Sequence, residues 1–312
     1  MSFTVTVLGS SSALPTSTRF PTAQVLNVHE RFFLIDCGEG TQIQLRRFSI
    51  NMSKISHIFI SHLHGDHVFG LFGLFSSYSL MGRKKDLHVY AHRDLAPTLE
   101  HFRLHFGVEM SYNIIHHPFT ATRSQLIYED KALTVESIPL RHSVPVVGYI
   151  FREKRKLLNL RKEAIDKFAL GIRDIRKIKE GHDYVTSTGE TIPNGELTFP
   201  PYQARTYGFC TDTSCFLKLK NNLKDLNLLY FEATFSEKDK KLAKITGHST
   251  ASQAATLAKE SNVGKLLIGH FSTRYKSINA LLNEARAIFP ETYAVEDGEK
   301  YNVEQKRVAL GA

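Results

Sequence analysis

The order of apolar and polar residues along the chain predicts short strands that alternate with helices. An alternating run at 3–8 predicts an opening strand, and the apolar run at 58–60 predicts a buried strand that leads into an apolar helix from Val68. Signals of both kinds continue to residue 288, which is an α/β pattern. The other predicted strands lie at 23–28, 31–35, 87–91, around Leu126 and Val135, and at 146–151, 226–231 and 265–268; the other predicted helices lie at 41–47, 95–106, 250–260 and 278–288.

A basic segment at 152–181 interrupts this order. Its apolar residues recur at roughly every third or fourth position, which predicts two short amphipathic helices separated at Gly171. The segment contains 11 Lys or Arg and 5 acidic residues, so its net charge is +6. Two interpretations are open: an ordinary solvated helical face, or an arm that binds phosphate groups.

Length and charge narrow the class of protein. A chain of 312 residues with 42% hydrophobic content can bury a large core, and we expect one domain with an insertion. We found neither an apolar stretch of the ~18 residues that a membrane span requires nor a signal-peptide pattern, so we expect a cytoplasmic protein with no membrane partner. The net charge of +9 favours an anionic partner such as nucleic acid. The three cysteines lack CxxC spacing and are interpreted as small buried residues.

The sequence HLHGDH at 62–67 is the strongest chemical signal, with three imidazoles and a carboxylate within six residues. Neutral imidazole and carboxylate are suitable zinc ligands, and a catalytic zinc takes three protein ligands and leaves one position for water. The alternative is a polar loop that contains histidines by chance, which is our interpretation of His88 and His101. The predicted position between a strand and a helix favours a zinc-dependent hydrolase.

Three further residues follow apolar strand signals and could complete a site for two metal ions: His142, Asp212 and His270. A two-metal centre gathers its ligands from several separate elements, and strand ends that meet at one rim provide them. Asp36 also falls at the end of a predicted strand.

These residues in this order resemble the ribonuclease Z family of the metallo-β-lactamase superfamily. The resemblance extends from Leu8 to about Pro290, and it implies an α/β fold, a four-layer αββα sandwich with an inserted helical basic arm. A single domain would then cover 1–312, with the arm at 152–198. The most specific matching stretches are LIDCGEGTQ at 34–42, HSVPVVGY at 142–149, FEATF at 231–235, GHSTASQAA at 247–255 and GHFSTRY at 269–275.

The resemblance implies two Zn²⁺ per subunit, each with three ligands of its own and one shared carboxylate. The ligands of the first ion would be His62, His64 and His142, those of the second would be Asp66, His67 and His270, and the shared carboxylate would be Asp212. Asp66 would help to prepare the hydroxide nucleophile, since zinc lowers the pKa of bound water to ~7. Asp36 is expected to orient histidines of the site rather than to bind metal.

A histidine and carboxylate pair, His248 with Glu232, resembles the family's acid for the leaving 3′ oxygen. From the sequence alone, His248 could instead belong to a helix cap and Glu232 could be a solvated acid. Ser249, Thr250 and Arg274 are candidates for phosphate contacts, with helix N-caps and a structural ion pair as the alternatives.

The activity that the resemblance implies is removal of the 3′ trailer from precursor tRNA by an endoribonuclease, which leaves a tRNA 3′ hydroxyl and a trailer 5′ phosphate. A homodimer is implied as well, in which the arm of one subunit presents tRNA to the active site of the other. The arm would read backbone shape and charge rather than base sequence. Its candidate contact residues are Arg155, Lys156, Arg173, Arg176 and Lys177.

Two departures from the family pattern stand out. The arm lacks the Gly-Pro pairs that family arms usually carry, and Phe231 precedes Glu232 where many members have histidine. Two other functions remain open at this point: a hydrolase of small phosphodiesters or thioesters with the same metal pair, and an RNA-binding protein whose metal site is structural or inactive.

Overall fold

The computed structural model describes residues 2–106, 110–154, 156–199 and 201–305, which form two large sheets covered by helices. The strands are β1 (Phe3–Gly9), β2 (Ala23–Val28), β3 (Arg31–Ile35), β4 (Ile55–Phe59), β5 (Leu87–His92), β6 (Ile114–Phe119), β7 (Gln125–Glu129), β8 (Leu133–Pro139), β9 (Val147–Glu153), β10 (Asn159–Leu160), β11 (Tyr184–Val185), β12 (Thr191–Ile192), β13 (Thr198–Phe199), β14 (Thr206–Cys210), β15 (Leu228–Glu232), β16 (Lys265–Gly269), β17 (Thr292–Ala294) and β18 (Lys300–Asn302). The helices are α1 (Thr41–Arg47), α2 (Gly65–Val68), α3 (Gly70–Leu80), α4 (Leu95–His105), α5 (Lys162–Phe168), α6 (Ile172–Lys179), α7 (Asn194–Leu197), α8 (Leu219–Leu223), α9 (Lys240–Thr246), α10 (Ala251–Glu260) and α11 (Asn279–Ile288), and two 3₁₀ helices lie at Met52–Lys54 and Glu237–Asp239.

Each large sheet has seven strands among the described residues. The first has the order β18-β1-β2-β3-β4-β5-β6, and the second has the order β17-β16-β15-β14-β9-β8-β7. Strands β3 to β6 run parallel in the first sheet, as do β14 to β17 in the second. The two sheets pack on each other through aromatic side chains: the ring of Phe59 lies edge-on to those of Tyr149 and Phe151, each with its centroid 5.5 Å away.

Helices cover the outer face of each sheet. Leu45 of α1 and Leu74 of α3 are fully buried against the first sheet, and Leu257 of α10 and Leu281 of α11 lie buried against the second. The predicted four-layer αββα sandwich is therefore confirmed. None of the helices within the described ranges is both long enough and apolar enough to cross a membrane. The cysteines Cys37, Cys210 and Cys215 are free thiols, the first two of them buried.

Most predicted elements agree with the structure to within two or three residues. Several elements were not predicted, among them α8, α9, β17, β18 and strand β6. The sequence of β6 contains two histidines and Pro118, which gives no strand pattern. Proline is tolerated there because β6 is the edge strand of its sheet. The strand predicted at 58–60 starts earlier, at Ile55, and the helical turn after it already begins at Gly65.

The inserted segment lies between β9 and β14 and has an apolar core of its own. The two predicted helices are present as α5 and α6, but Ala169, with φ of +45°, makes the left-handed turn, while Gly171 caps α6 in an extended conformation. Ile172 is 88% exposed, so it does not join the predicted apolar face. Short strand pairs, β10 with β13 and β11 with β12, add to the helices. The core consists of Ala164, Leu170, Ile178, Ile192 and Leu197.

Candidate metal centre and active site

The proposed metal ligands follow the carboxyl ends of strands from both sheets. The HLHGDH sequence at 62–67 extends from the loop after β4 into α2, and His142 lies in the loop between β8 and β9. Three other residues have left-handed backbone angles at strand ends. Asp36 (φ +55°) and His270 (φ +59°) come directly after β3 and β16, and Asp212 (φ +44°) follows β14 by two residues. Such angles cost a residue other than glycine about 1–3 kcal/mol and are concentrated at functional sites.

Seven side chains form two adjoining clusters around Asp212. The first cluster comprises His62, His64, His142 and Asp212, and the second comprises Asp66, His67, Asp212 and His270; within each, the candidate ligand atoms lie within 4.8 Å of one another. Oδ1 of Asp212 lies 3.2 Å from His67 Nε2 and 3.1 Å from His270 Nε2. Oδ2 lies 3.6 Å from His62 Nε2 and 3.7 Å from His142 Nε2. One carboxylate oxygen thus faces each set of imidazoles.

The hydrogen bonds of the imidazoles leave the right nitrogen for a metal. Nδ1 of His67 donates to the Asp36 carboxylate (2.7 Å), Nδ1 of His62 is hydrogen-bonded with the Ser61 hydroxyl (3.0 Å), and Nδ1 of His270 is hydrogen-bonded with the Thr234 hydroxyl (2.9 Å). A neutral imidazole that donates from Nδ1 keeps its lone pair on Nε2. Within the described part of the chain, Nε2 of His62, His67 and His270 is buried without a hydrogen-bond partner. The donor set therefore fits divalent cations such as zinc.

The charges in the centre reinforce this fit. Burial alone would raise the pKa of Asp212, but the positive charge that His270, His67 and His62 carry when protonated holds it well below its ordinary value. Burial also opposes ionisation of Asp66, and His67 and His270 again lower the pKa of that carboxyl. Two ionised carboxylates therefore face the same buried space, which favours a cation between them.

Two backbone groups that were not predicted from the sequence also bind side chains of the two clusters. The Ala13 amide donates to Asp66 Oδ2 at 2.9 Å, and the Gly247 carbonyl accepts from His142 Nδ1 at 3.1 Å. Gly247 has φ of +75°, and a Cβ at this position would lie 2.9 Å from His142 Nδ1. The role of Gly247 in the GHST stretch could therefore have been predicted from the sequence. Nothing in the sequence indicates the contact of the Ala13 amide.

The Glu232 and His248 side chains form a pair beside the metal clusters. Glu232 is fully buried, and its Oε1 accepts from His248 Nδ1 at 2.9 Å and from the Thr213 amide at 2.7 Å. Burial would lower the pKa of His248, but the charge and hydrogen bond of Glu232 raise it to about 9. The His248 ring lies 4.9 Å from that of His142 and 5.4 Å from that of His270, between centroids. The Glu232 carboxylate therefore favours the protonated form of His248 at the edge of the centre.

Phe231 stands where many members of the family have histidine. Its side chain is buried in the apolar core, and the neighbouring residues of β15 face the other side of the sheet. The Glu232 carboxylate gets its hydrogen bonds from Thr213, Thr234 and His248 instead.

The three candidate phosphate contacts have structural partners. The Ser249 hydroxyl is buried and donates to the Thr213 carbonyl at 2.6 Å. Thr250 is the N-cap of α10 in a capping box with Gln253, so the helix-cap alternative describes this residue. Arg274 is 43% exposed, with Asp239 at 3.8 Å. Their roles toward phosphate remain predictions.

None of the described residues of the predicted arm belongs to either metal cluster. Arg173, Arg176 and Lys177 are exposed and share one face of α6 at spacings of three and four residues, with Arg176 paired to Glu180 at 3.0 Å. Lys156 is exposed, and Arg155 lies outside the described residues. Their contact with RNA remains a prediction.

Comparisons with known proteins agree with this geometry. A family model described as "Anti-Pycsar protein Apyc1" matches residues 3–144, less than half of the chain. Ribonuclease Z of Bacteroides thetaiotaomicron is 44% identical over 290 residues, which cover 93% of this chain and 92% of that protein. Human tRNase Z, short form, has a TM-score of 0.72 at 26% identity, covering 96% of this chain and 99% of that one. The metallo-β-lactamase fold protein YhfI of Bacillus subtilis shares the fold, with a TM-score of 0.67 at 18% identity over 96% of this chain and 99% of its own. From its identity to a curated relative over nearly the whole length, the chain belongs to the ribonuclease Z family.

Proposed function

We propose that the chain removes the 3′ trailer from precursor tRNA by hydrolysis at a centre of two zinc ions. Endoribonuclease activity on precursor tRNA follows from membership of the ribonuclease Z family. The observation that carries the two-ion proposal is the position of Asp212, whose two oxygens each face a separate set of imidazoles. A single-ion site would not need a buried carboxylate between two such sets.

The ligand sets are proposed as the clusters divide them. His62, His64 and His142 would hold one ion, Asp66, His67 and His270 the other, and Asp212 both. When bound, the pair of ions supplies an activated water near neutral pH and neutralises charge on the phosphoryl group. Asp36 orients His67 directly and His62 through Ser61.

The chain's own acids and bases divide the proton transfers. The Asp66 carboxylate, fixed by the Ala13 amide, accepts the proton of the attacking water. His248 donates a proton to the departing 3′ oxygen of the tRNA. Glu232 accepts the hydrogen bond of His248 Nδ1, which leaves Nε2 of His248 for the leaving group. The phosphate then remains on the 5′ end of the trailer, and the tRNA ends in a 3′ hydroxyl.

The arm is the proposed contact for the body of the tRNA. Its exposed basic face on α6 can neutralise phosphates without reading bases, so binding through it should weaken as salt rises. We also propose a homodimer in the cytoplasm, in which one subunit's arm serves the partner's active site.

The test is to map the cut in a precursor tRNA relative to the discriminator base, with and without a chelator, beside hydrolysis of bis-p-nitrophenyl phosphate. We expect one chelator-sensitive cut immediately 3′ of the discriminator base. Hydrolysis of the small diester without tRNA cleavage would favour the small-molecule hydrolase, and tRNA binding without either reaction would favour the RNA-binding protein.

A variant of the arm separates substrate grip from chemistry. Replacing Arg173, Arg176 and Lys177 with alanine should raise the KM for precursor tRNA and leave hydrolysis of the small diester unchanged. A matched variant with three exposed lysines outside the arm replaced by alanine should leave both reactions unchanged. These lysines are Lys84, Lys85 and Lys220. Equal loss of both reactions in the arm variant would contradict the proposed role of the arm.

A further inference from the structure

We infer that Thr234 is a positioning residue of the metal centre, whose hydroxyl fixes His270 in the metal-binding tautomer and links it to the Glu232 and His248 pair. The inference rests on the proposed function, because it assigns His270 as a metal ligand. Thr234 lies in the FEATF stretch at 231–235, but no role was predicted for it from the sequence.

The Thr234 hydroxyl lies between two functional side chains. Its oxygen is 2.5 Å from Glu232 Oε2 and 2.9 Å from His270 Nδ1, and the side chain is almost fully buried. The Thr234 amide also donates to Glu232 Oε2, at 3.3 Å. Thr234 follows β15 by two residues, and His270 directly follows the neighbouring parallel strand β16. Register between these strands thus sets the distance from the hydroxyl to the imidazole.

The number of available protons determines to which neighbour the Thr234 hydroxyl donates. Glu232 accepts hydrogen bonds from the Thr213 amide, the Thr234 amide and His248, so its carboxylate acts as an acceptor throughout. The single hydroxyl proton of Thr234 therefore goes to Glu232, and toward His270 the oxygen can only accept. Nδ1 of His270 must then carry its proton, which leaves the lone pair on Nε2, the atom that faces Asp212 at 3.1 Å.

The same arrangement occurs independently on the first sheet. The Ser61 hydroxyl donates to Asp36 Oδ2 at 2.8 Å and lies 3.0 Å from His62 Nδ1. A hydroxyl between a buried carboxylate and the Nδ1 of a candidate ligand therefore follows β4 as well as β15, once for each metal cluster. Two unrelated positions with one geometry indicate a requirement of the centre rather than an accident of packing.

Thr234 differs from Ser61 in the other partner of the carboxylate that its hydroxyl contacts. Glu232 binds His248 as well, so the Thr234 hydroxyl connects a metal ligand with the proposed leaving-group acid through one buried carboxylate. Loss of the hydroxyl should consequently affect both metal affinity and the proton donor, whereas loss of the Ser61 hydroxyl should affect metal affinity alone.

The test compares Thr234→Val, which keeps the shape and removes the hydroxyl, with Thr234→Ser, which keeps the hydroxyl. Thr22→Val is the matched control, because the Thr22 hydroxyl is buried without a hydrogen-bond partner among the described residues. Thr234→Ala provides a second variant without the hydroxyl, in case valine disturbs folding. Cobalt(II) affinity and stoichiometry are measured by chelator competition and visible absorption, and cleavage of precursor tRNA is measured separately.

We expect unmodified protein, Thr234→Ser and Thr22→Val to bind two cobalt ions, and both hydroxyl-free Thr234 variants to bind one of the two about 10- to 100-fold more weakly. Their tRNA cleavage should remain slower even at saturating cobalt. Unchanged cobalt affinity in both hydroxyl-free variants, or an equal loss in Thr234→Ser, would overturn the inference. If the unmodified protein bound no cobalt, the proposed metal centre itself would be refuted, and the inference with it.

Discussion

Replacing Arg205 with methionine should destabilise the fold by several kcal/mol, because it leaves a buried carboxylate without its cation. Glu153 ends β9, where the chain enters the inserted segment, and Arg205 precedes β14, where the chain returns. Arg205 donates to both carboxylate oxygens of Glu153, from Nε at 2.9 Å and from Nη2 at 2.8 Å. The two residues are only 4% and 6% exposed. The pair therefore joins the two ends of the inserted segment inside the protein.

The magnitude follows from this burial. Removing one partner of a buried ion pair costs about 3–5 kcal/mol, whereas replacing both by apolar residues of similar size is often nearly neutral. Arg205→Met should therefore lose about 3–5 kcal/mol of unfolding free energy. The double variant Glu153→Leu/Arg205→Met should recover at least about 2 kcal/mol of this loss. Recovery will be incomplete because Glu153 also accepts from the Arg205 amide at 2.9 Å and contacts His29 Nε2 at 2.6 Å.

The effect should also depend on pH in one direction. Burial alone would raise the pKa of Glu153, but its hydrogen bonds with Arg205 lower it below the ordinary value of 4.5. A carboxyl whose pKa is lowered by folding contributes stability above its unfolded pKa and loses it as the pH falls through the folded value. The difference between wild type and Arg205→Met should therefore be full at pH 7 and shrink below pH 4.5.

Urea unfolding followed by far-ultraviolet circular dichroism measures these differences at each pH. Arg123→Met, at an exposed arginine, is the control and should change stability by less than about 0.5 kcal/mol. A loss of unfolding free energy below about 1 kcal/mol for Arg205→Met would refute the reasoning. So would a double variant whose loss of unfolding free energy is at least as large as the sum of the losses in the two single variants.

Three further predictions concern the proposed centre. His248→Ala should slow tRNA cleavage by about 10²- to 10⁴-fold while metal analysis still finds two ions; loss of metal would make His248 a ligand or a fold element. Gly247→Ala should weaken metal binding, since its Cβ would lie 2.9 Å from His142 Nδ1, and unchanged affinity in a chelator titration would exclude that contact as a constraint. Chelation should lower the thermal midpoint of unfolding, because ions that bind only the folded chain stabilise it; an unchanged midpoint would argue against resident metal.

Local patterns in the sequence were enough to predict much of the fold. The helix α1 at Thr41–Arg47 and the hairpin of β2 and β3 agree with their predictions to the residue, because short-range periodicity and turn residues determine them. Strand β6 was missed because its edge position, a tertiary property, permits Pro118 and polar residues. The pair of Glu153 and Arg205 was invisible for the same reason, since 51 residues of inserted chain separate its members.

The candidate site was predictable only in part. The HLHGDH sequence contains four candidate ligands within six residues, so their proximity can be predicted without knowledge of the fold. His142, Asp212 and His270 were associated with them by their strand-end positions and by the family resemblance. The contributions of Ser61, Thr234 and the Ala13 amide depend on the register of strands and loops, which a single sequence does not specify.

The backbone at the site explains why local preference cannot identify all of its residues. At Asp36, Asp212 and His270 the left-handed angle would favour glycine, yet each position holds a side chain that faces or orients the metal clusters. Glycine would remove the local strain of about 1–3 kcal/mol but also the carboxylate or imidazole. Because the surrounding strands hold these residues in place, the site keeps a strained conformation that no local rule would choose.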